Sequence, residues 1–477
     1  MQKVFEEVNS LDKKCYEQFF MSEDLLMEHA ANSMADFIKK KFEKDSMILI
    51  VCGTGNNGAD GIALGRILHK DYKVTIYLPF GTNSNLGKLQ QKRATLVGVD
   101  IIEDKNHKLP LNSYDVIVDS LFGSGLKRPL LDECVQIIQT LNKHTNAYKI
   151  ACDIPSGIVN PSSLQVSNYD AIFNADTTIT MGALKYQLFG DLVKDFVGEI
   201  IVADLGVSRE LYEDKSSDYL LLDKEDLKLP FRTFDSSHKG NYGHLGVVAG
   251  EKVGAATLCA EAGFVFGTGL VTAISSDTLV FPFHIMRDNK LPDNATAIAV
   301  GMGLGSFDKE FLGTILQKNI PKVIDADLFY TEFILEILRS DNAENLVLTP
   351  HPKEFCSLLK ICEIADIDVP TLQNNRFKFI KKFSEMFPKV VILLKGANTL
   401  ICKEGVIYIN SFGTSVLSQG GTGDVLSGLI GALLAQGYDT LSSAINGSLA
   451  LSMAGRNYSK NNYSMKPQDL IEEVKKI

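Results

Sequence analysis

A glycine-rich stretch close to the C-terminus carries a single carboxylate, Asp424. Three glycines lie in residues 420–423, and an apolar run from 425 to about 434 has the composition of a buried helix. Glycine N–H groups can converge on an anion, and a helix N-terminus adds the positive end of its dipole. A carboxylate beside a bound phosphate suits removal of a proton from an attacking hydroxyl in phosphoryl transfer. Alternatively, Asp424 is the N-cap of a helix after a plain glycine turn.

A second glycine loop follows an early predicted strand, residues 47–52, and precedes an apolar helix at 62–68. The spacing of Gly53, Gly55 and Gly58 matches the dinucleotide-binding fingerprint of a Rossmann-like unit. That fingerprint also requires an acid at the end of the second strand, and here this strand ends in Leu78-Pro79. We therefore exclude a hydride-transfer dehydrogenase. The amide and carboxylate oxygens of residues 56–60 suit a hard cation instead.

Two further predicted strands, unlike the second, have an acidic residue at the carboxyl end. Asp119 ends the strand 115–119, and Asp153 follows the strand 148–152. The carboxyl ends of parallel strands meet at one edge of an α/β sheet, where ligands bind. We therefore expect both carboxylates near the Gly53 loop. Capping of the next turn is the alternative for each.

The second half of the chain places polar loops after predicted strands. These loops are residues 301–305, 325–327, 349–354 and 395–399. Lys395 follows an apolar strand, so it is either a phosphate contact or a solvated lysine. His351 stands between two prolines, where a structural histidine is as good an interpretation as a ligand-binding one.

Composition limits the classes of function. The chain has 477 residues and a net charge of −10, which argues against a general nucleic-acid binder. None of the eight cysteines forms a C-x-x-C pair, so we expect buried thiols in a reducing compartment. No apolar run approaches the ~20 residues that span a bilayer. We expect a cytoplasmic protein without a membrane or nucleic-acid partner, and a homo-oligomer.

The order of predicted elements indicates an α/β protein with two domains. A helix at 11–45 and successive strands give a Rossmann-like sheet in residues 1–210. Residues 207–236 are polar and irregular, which is typical of a linker and a lead-in strand. A second α/β domain is predicted for residues 218–477.

Together these motifs resemble the bifunctional NAD(P)H-hydrate repair enzymes over nearly the whole chain. These join an NAD(P)H-hydrate epimerase to an ADP-dependent NAD(P)H-hydrate dehydratase with a ribokinase-like α/β sandwich fold. The resemblance is carried by residues 27–30, 53–61, 119–125, 153–157, 238–240, 301–305, 349–354, 395–399 and 420–428. The order of the motifs in one chain makes the signal specific.

The resemblance implies roles for residues in the first half. A potassium ion would be held by Asn57, Asp119 and Ser156, and Asp153 would be the epimerase acid/base. The hydrated nucleotide would be lined by Asn56, Asn57, Gly58, Ala59, Asp60, Gly123, Ser124, Gly125, Leu126, Lys127, Arg128 and Pro129.

In the second half, the resemblance implies that Asp424 is the catalytic base. The hydrate would meet Ala255, Gly303 and His351 as well as Asp424. ADP, the phosphoryl donor, would be held by Lys395, Gly396, Ala397, Asn398, Thr399 and Gly423. We also expect Mg²⁺ with the nucleotide.

The sequence departs from the family pattern at three places. Ala59 replaces a glycine, so the backbone there must accept a Cβ atom. Thr414-Ser415 replaces Asn-Pro, and Lys353 replaces a glycine after His351-Pro352. Two alternatives stay open: a kinase for a vitamin-precursor alcohol, which leaves the first domain without a use, and a non-catalytic nucleotide-binding scaffold.

Overall fold

The computed structural model describes residues 1–103, 113–126, 129–159 and 171–477. The chain divides into two compact units, Lys3–Ser217 and Asp218–Ile477, with Met1 and Gln2 grouped with the second. Among the described residues, every helix is too short or too polar to span a bilayer. Seven of the eight cysteines are buried, and Cys356 is partly exposed.

The first unit contains a seven-stranded parallel sheet with helices around it. The strands in this part of the chain, two of which lie outside that sheet, are β1 (Gln2–Phe5), β2 (Met47–Cys52), β3 (Lys73–Leu78), β4 (Asp100–Glu103), β5 (Val116–Ser120), β6 (Tyr148–Cys152), β7 (Thr177–Met181), β8 (Leu184–Lys185) and β9 (Glu199–Ala203). The sheet order is β4-β3-β2-β5-β6-β7-β9, and β1 pairs with β8 apart from it. The apolar run of β2 lies in the interior of the sheet, next to the central strand β5, and it is buried on both faces as parallel strands are.

The register brings the strand ends of the first unit together. Val51 pairs with Asp119, and Asp119 pairs with Ala151 in β6. The carboxyl ends of β2, β5 and β6 are therefore side by side, as the sequence predicts. This edge carries the glycine loop, Asp119 and Asp153.

The helices of the first unit differ from the prediction at their ends. They are α1 (Asn9–Gln18), α2 (Glu23–Lys41), α3 (Asn56–Leu68), α4 (Asn85–Leu96), α5 (Asp132–Asn142), α6 (Lys194–Val197) and α7 (Arg209–Tyr212). The stretch predicted as helical, residues 11–45, forms two helices, and Ser22 caps the second by accepting from Leu25 N–H. Helix α3 begins at Asn56 rather than Ile62, so residues 56–61 of the predicted loop 53–61 are helical.

The second unit also has an α/β fold, and its sheet contains more strands than the sheet of the first unit. Its strands are β10 (Tyr219–Leu221), β11 (His244–Val248), β12 (Leu270–Ile274), β13 (Met286–Asp288), β14 (Ala297–Val300), β15 (Lys322–Ile324), β16 (Leu346–Leu348), β17 (Val391–Leu394), β18 (Thr399–Lys403) and β19 (Val406–Asn410). They run in the order β13-β12-β11-β14-β15-β16-β17-β18-β19-β10. The pairs of β18 with β17 and β19 are antiparallel, and the others are parallel.

Nine α-helices lie in the second unit, all of whose residues are described. They are α8 (Val253–Val265), α9 (Lys309–Leu316), α10 (Phe333–Leu338), α11 (Pro352–Ile361), α12 (Val369–Asn374), α13 (Arg376–Met386), α14 (Thr422–Ala435), α15 (Thr440–Asn457) and α16 (Pro467–Val474). Residues 425–435 of α14 are buried, as expected for a helix enclosed by the fold. A methyl group on Gly428 would lie 2.3 Å from the carbonyl oxygen of Cys259 in α8, so this glycine permits close helix packing.

The polar segment 207–236 is more ordered than a linker. Helix α7 and strand β10 both fall within it, and Tyr212 is buried with its hydroxyl donating to Asp12 Oδ1 at 2.7 Å. Strand β10 is the predicted lead-in strand. Helix α7 was not predicted, because one buried tyrosine anchors residues that are otherwise polar. The first compact unit runs to Ser217.

Candidate active sites

The first unit has a cavity of about 760 Å³ where the strand ends and the glycine loop meet. Eight residues that the sequence indicates line it: Asn56, Asn57, Asp60, Gly123, Ser124, Gly125, Leu126 and Asp153. The wall also contains groups that sequence reasoning missed, notably Asp12, Tyr16, Glu23 and Lys185. The volume falls within the range typical of small-molecule sites.

Asp153 is held in an uncommon backbone conformation by a network of donors. Its φ is +69°, in the left-handed region that non-glycine residues rarely adopt. Oδ2 accepts from Ser124 N–H at 3.0 Å, and Oδ1 accepts from Met181 N–H at 3.2 Å. Lys185 Nζ lies 2.7 Å from Oδ1. The carboxylate is therefore fixed in position rather than free to rotate.

Two carboxyls in this cavity have opposite pKa shifts. Burial raises the pKa of Asp153, but the charge of Lys185 and the hydrogen bonds lower it more, so the net pKa lies below the ordinary aspartate range. Burial, and then the charge of Asp153, hold the pKa of Asp60 well above that range. Among the described residues, no group donates a hydrogen bond to Asp60. At neutral pH Asp153 is ionised, whereas the environment of Asp60 favours its protonated form.

Asp119 and Ser156 form a buried pair behind the cavity wall. Asp119 Oδ1 accepts from Ser156 Oγ at 2.7 Å, and Oδ2 accepts from Ser156 N–H at 2.8 Å. Burial raises the pKa of Asp119 to about 6. Asn57 stands beside Gly123, and its buried amide nitrogen has no hydrogen-bond partner among the described residues.

Some predicted substrate contacts lie elsewhere. Gly58 and Ala59 are buried and Pro129 is exposed, and none of the three belongs to the described cavity wall. Ala59 tolerates its Cβ because it lies within α3, where the methyl group joins the apolar core. Lys127 and Arg128 lie outside the described residues.

In the second unit, Asp424 lies in the first turn of α14. The helix starts at Thr422 rather than Val425, and its N-cap is Gly421, at φ +95°. The capping alternative for Asp424 is therefore wrong. Among the described residues, no group donates a hydrogen bond to this carboxylate, and burial, with the charge of Asp325 next, raises its pKa to about 6.

Lys395 points from the end of β17 toward the start of α14. Its Nζ lies 2.7 Å from Asp325 Oδ1, and a methyl group on Gly423 would lie 3.2 Å from that Nζ. Lys395 is therefore a partly buried lysine paired with a buried aspartate, and not a freely solvated one. Asp325, which the sequence placed only in a strand-end loop, is the partner.

His351 is the N-cap of α11. Its Nδ1 accepts from Lys353 N–H at 3.1 Å and from Glu354 N–H at 3.3 Å, so the neutral ring carries its proton on Nε2. Burial, followed by the charge of Lys395, lowers the pKa of His351. The backbone N–H of Lys395 donates to Pro350 O at 2.9 Å, which joins the two loops. His351 thus has a structural role and also lies near Lys395.

The predicted hydrate contacts Ala255 and Gly303 adjoin each other. A methyl group on Gly303 would lie 3.2 Å from Ala255 Cβ, and Gly303 itself has φ +60°. The next turn of this loop is held by Glu251, whose Oε1 accepts from Ser306 N–H at 3.0 Å. At the start of this loop, residues 301–305, a methyl group on Gly301 would lie 1.8 Å from Asp325 O.

A buried arginine holds the predicted nucleotide loop, residues 395–399. The guanidinium of Arg376 donates to Asn398 O at 2.9 Å, to Leu394 O at 3.1 Å and to Lys395 O at 2.9 Å. Three carbonyls directed at one cation leave the loop in a single conformation. Gly396 and Ala397 belong to this same turn, and Thr399 is the first residue of β18.

Lys185, Asp325 and Arg376 are the functional candidates that sequence reasoning missed. Each is almost wholly buried. The available signal was a charged residue within or beside an apolar run, since charged side chains are rarely buried without a partner. The partners lie far along the chain, so they could not be paired from the sequence.

Comparison with known proteins agrees with the two-part organisation. Residues 23–187 match the family model "YjeF-related protein N-terminus", and residues 245–476 match "NAD(P)H-hydrate dehydratase". A bifunctional NAD(P)H-hydrate repair enzyme from Helicobacter pylori is 40% identical over 482 residues, covering 100% of both chains. The corresponding protein from Coxiella burnetii is 33% identical over 91% of this chain and 90% of its own.

A solved structure resembles the second unit. It is an ADP/ATP-dependent NAD(P)H-hydrate dehydratase from Bacillus subtilis, co-crystallised with ATP and Mg²⁺. It is 25% identical, with a TM-score of 0.45, and the match covers 54% of this chain and 96% of that one.

Proposed function

Because this chain belongs to the family of bifunctional NAD(P)H-hydrate repair enzymes, we propose that Asp153 serves its epimerase reaction and Asp424 its dehydratase reaction. The enzyme interconverts the R and S forms of hydrated NADH and NADPH. It then dehydrates the S form with ADP, giving NAD(P)H, AMP and phosphate. The observation that carries the assignment is that Asp153 lines a ligand-sized cavity in the first half, whereas Asp424 lies in the first turn of α14 in the second half.

Epimerisation requires the C6 hydroxyl to leave and return. Protonation of that hydroxyl lets the ring nitrogen expel water, which leaves a planar iminium at C6. Water then adds to either face, and a base takes its proton. The lowered pKa of Asp153 supports the accepting role for this carboxylate.

The proton for the departing hydroxyl needs a second group. Asp60 lines the same cavity, and its raised pKa supports a protonated carboxyl there. Two carboxyls with opposite pKa shifts divide the acid and base roles between them. Proton exchange through the released water restores the starting state.

The candidate potassium ligands fit the ion. Asn57, Asp119 and Ser156 offer amide, carboxylate and hydroxyl oxygens, which suit a hard cation. The unpartnered amide nitrogen of Asn57 also fits, because turning the amide would present its oxygen to a cation instead. A bound potassium ion would supply positive charge beside the nucleotide phosphates.

For dehydration, Asp424 takes the proton of the C6 hydroxyl. The resulting oxygen attacks the terminal phosphorus of ADP, the bond to AMP breaks, and the C6 phosphate ester forms. Phosphate then leaves C6 and a proton leaves C5, which restores the ring double bond. A carboxylate without hydrogen-bond donors is free to act as this base.

Nucleotide binding is assigned to the 395–399 loop and Gly423. Lys395 carries a positive charge next to the first turn of α14, whose N–H groups favour a phosphate. Mg²⁺ would come with the nucleotide and neutralise charge on the phosphates. His351, Ala255 and Gly303 would contact the hydrate.

The two rival functions account for less of the chain. A vitamin-precursor kinase uses only the second unit, whereas the family relationship covers the whole length. A non-catalytic scaffold has no need for a fixed Asp153–Lys185 pair. A homo-oligomer stays a prediction, which sedimentation equilibrium tests.

The deciding experiment supplies the full-length protein with a mixture of R and S hydrates. We expect slow R-to-S exchange to be accelerated without ADP, and NADH to appear only when ADP is added. If the protein accelerates neither step, the proposal is overturned. Phosphorylation of hydroxyethylthiazole or pyridoxal instead would favour the kinase.

A further inference from the structure

A buried aspartate outside the proposed catalytic set links the two sides of the dehydratase site. Asp325, directly after β15, is 1% exposed. Its Oδ1 lies 2.7 Å from Lys395 Nζ, and its Oδ2 accepts from Ser427 Oγ at 2.8 Å. Its Oδ1 also accepts from Ala326 N–H at 2.9 Å. Both carboxylate oxygens are thus occupied by groups of this chain.

The two side-chain partners belong to different functional elements. Lys395 begins the nucleotide loop, whereas Ser427 lies one turn after Asp424 on the same helix. The Asp325 carboxylate therefore joins the loop that is assigned to ADP to the helix that carries the base. A methyl group on Gly301 would lie 1.8 Å from Asp325 O, so the glycine loop beside the hydrate site also rests on this residue.

We propose that Asp325 is a positioning residue, which fixes Lys395 against the first turn of α14 and sets the electrostatic environment of Asp424. This rests on the roles proposed above for Asp424 and Lys395. Asp325 touches neither substrate in this account. It acts through the lysine and the serine that it holds.

Charge supports the same role. The negative charge of Asp325 raises the pKa of Asp424, and the positive charge of Lys395 lowers it. Other titratable groups near this pair are Cys259 in α8, whose pKa is raised by burial and then by both aspartates, and His351, Glu354 and Asp327 around α11. Without Asp325, Lys395 would be free to turn toward Asp424, and a weaker base would result.

The test is Asp325→Asn in the full-length enzyme. Asparagine keeps the volume: its one oxygen can still accept from Lys395, and its NH2 group can donate to Ser427 Oγ, so the links persist while the negative charge is removed. We expect the acid limb of the dehydratase kcat to move to lower pH by roughly one unit, and the KM for ADP to rise ~10-fold. Asp366→Asn is the matched control, since Asp366 also pairs with a lysine at 2.8 Å but on the surface.

A second variant covers a failure of the first to fold. Ser427→Ala removes only the hydroxyl that links Asp325 to α14, so we expect kcat to fall ~3–10-fold with the KM for ADP nearly unchanged. An unchanged kcat in Ser427→Ala would contradict the link. If the acid limb of the dehydratase kcat and the KM for ADP are the same in Asp325→Asn as in the wild type, the proposal is overturned.

Asp424→Asn, assayed alongside, separates the two levels of the account. If Asp424→Asn keeps dehydratase activity, the proposed function of that site fails. If Asp424→Asn is inactive but Asp325→Asn changes only the Mg²⁺ concentration that is required, Asp325 is a metal ligand and the positioning role is overturned. The expected result is an inactive Asp424 variant and a shifted pH limb in Asp325→Asn.

Discussion

Lys185 Nζ lies 2.7 Å from Asp153 Oδ1, with side chains 2% and 10% exposed. A buried pair of this kind is costly to break, because removing one partner leaves an uncompensated charge. It also keeps Asp153 ionised in a cavity that would otherwise favour the neutral acid. The pair therefore sets the direction in which Asp153 exchanges protons.

Asp153→Asn should slow epimerisation by at least ~10²-fold, because the amide cannot accept a proton. Dehydration of purified S hydrate should be unaffected. The measurement is the rate of R-to-S conversion, followed by chromatography without ADP. Asp71→Asn, at a partly exposed position outside the cavity wall where the aspartate also pairs with a lysine, is the control. A rate near that of wild type would leave Asp153 with a structural role alone.

Asp119→Ala should weaken the dependence of epimerisation on potassium. The substitution removes one oxygen ligand and also releases Ser156, which Asp119 holds through two hydrogen bonds. Titration of epimerase activity against potassium chloride, with sodium chloride keeping the ionic strength constant, measures the effect. A potassium titration curve identical to that of the wild type would remove Asp119 from the ion site.

Arg376→Met should raise the KM for ADP, because three loop carbonyls lose their common donor. We expect at least a ~10-fold rise, given the strength of charge-assisted hydrogen bonds. Millimolar guanidinium should restore part of the affinity in the variant and leave the wild type unchanged. Absence of both effects would show that the loop holds its conformation without the arginine.

The pH dependence of dehydration should follow the carboxyl of Asp424. The base must be ionised, and its pKa is raised to about 6, so activity should be lost as the pH falls through this value. The plateau should lie above pH 7. ADP also titrates in this range, so the residual activity of Asp424→Asn, compared at each pH, is the control. Loss of dehydratase activity only near pH 4 would indicate that the pKa of Asp424 is not raised.

Much of the sheet could be predicted from the sequence. The apolar runs that form β2 and β6 have the predicted bounds, and β3 ends at Leu78 as predicted, because a strand buried on both faces leaves a continuous apolar pattern. The hairpin of β18 and β19 was not predicted, although both of its strands contain apolar residues. The starts of α3 and α14 were placed too late, since glycines at a helix N-terminus have the composition of a loop.

The site residues divide in the same way. Asp153 and Asp424 could be selected because each follows a recognisable strand or glycine turn. Lys185 and Asp325 could not be assigned a partner, because their contacts join residues 32 and 70 positions apart. Only the folded chain brings these charges together.

The proposed dehydratase reaction depends most directly on Asp424. Asparagine has nearly the same shape, and since Asp424 caps nothing, the substitution tests its charge alone. In Asp424→Asn, ADP-dependent formation of NADH should fall ~10²–10⁴-fold, while R-to-S conversion continues. Affinity for ADP should hold or rise, because a negative charge near the phosphates is removed. Chromatography of both hydrates and NADH over time, with and without ADP, measures all of these. Conversion of R hydrate to S without further reaction is the predicted result, and NADH formation at an appreciable rate would contradict the assignment.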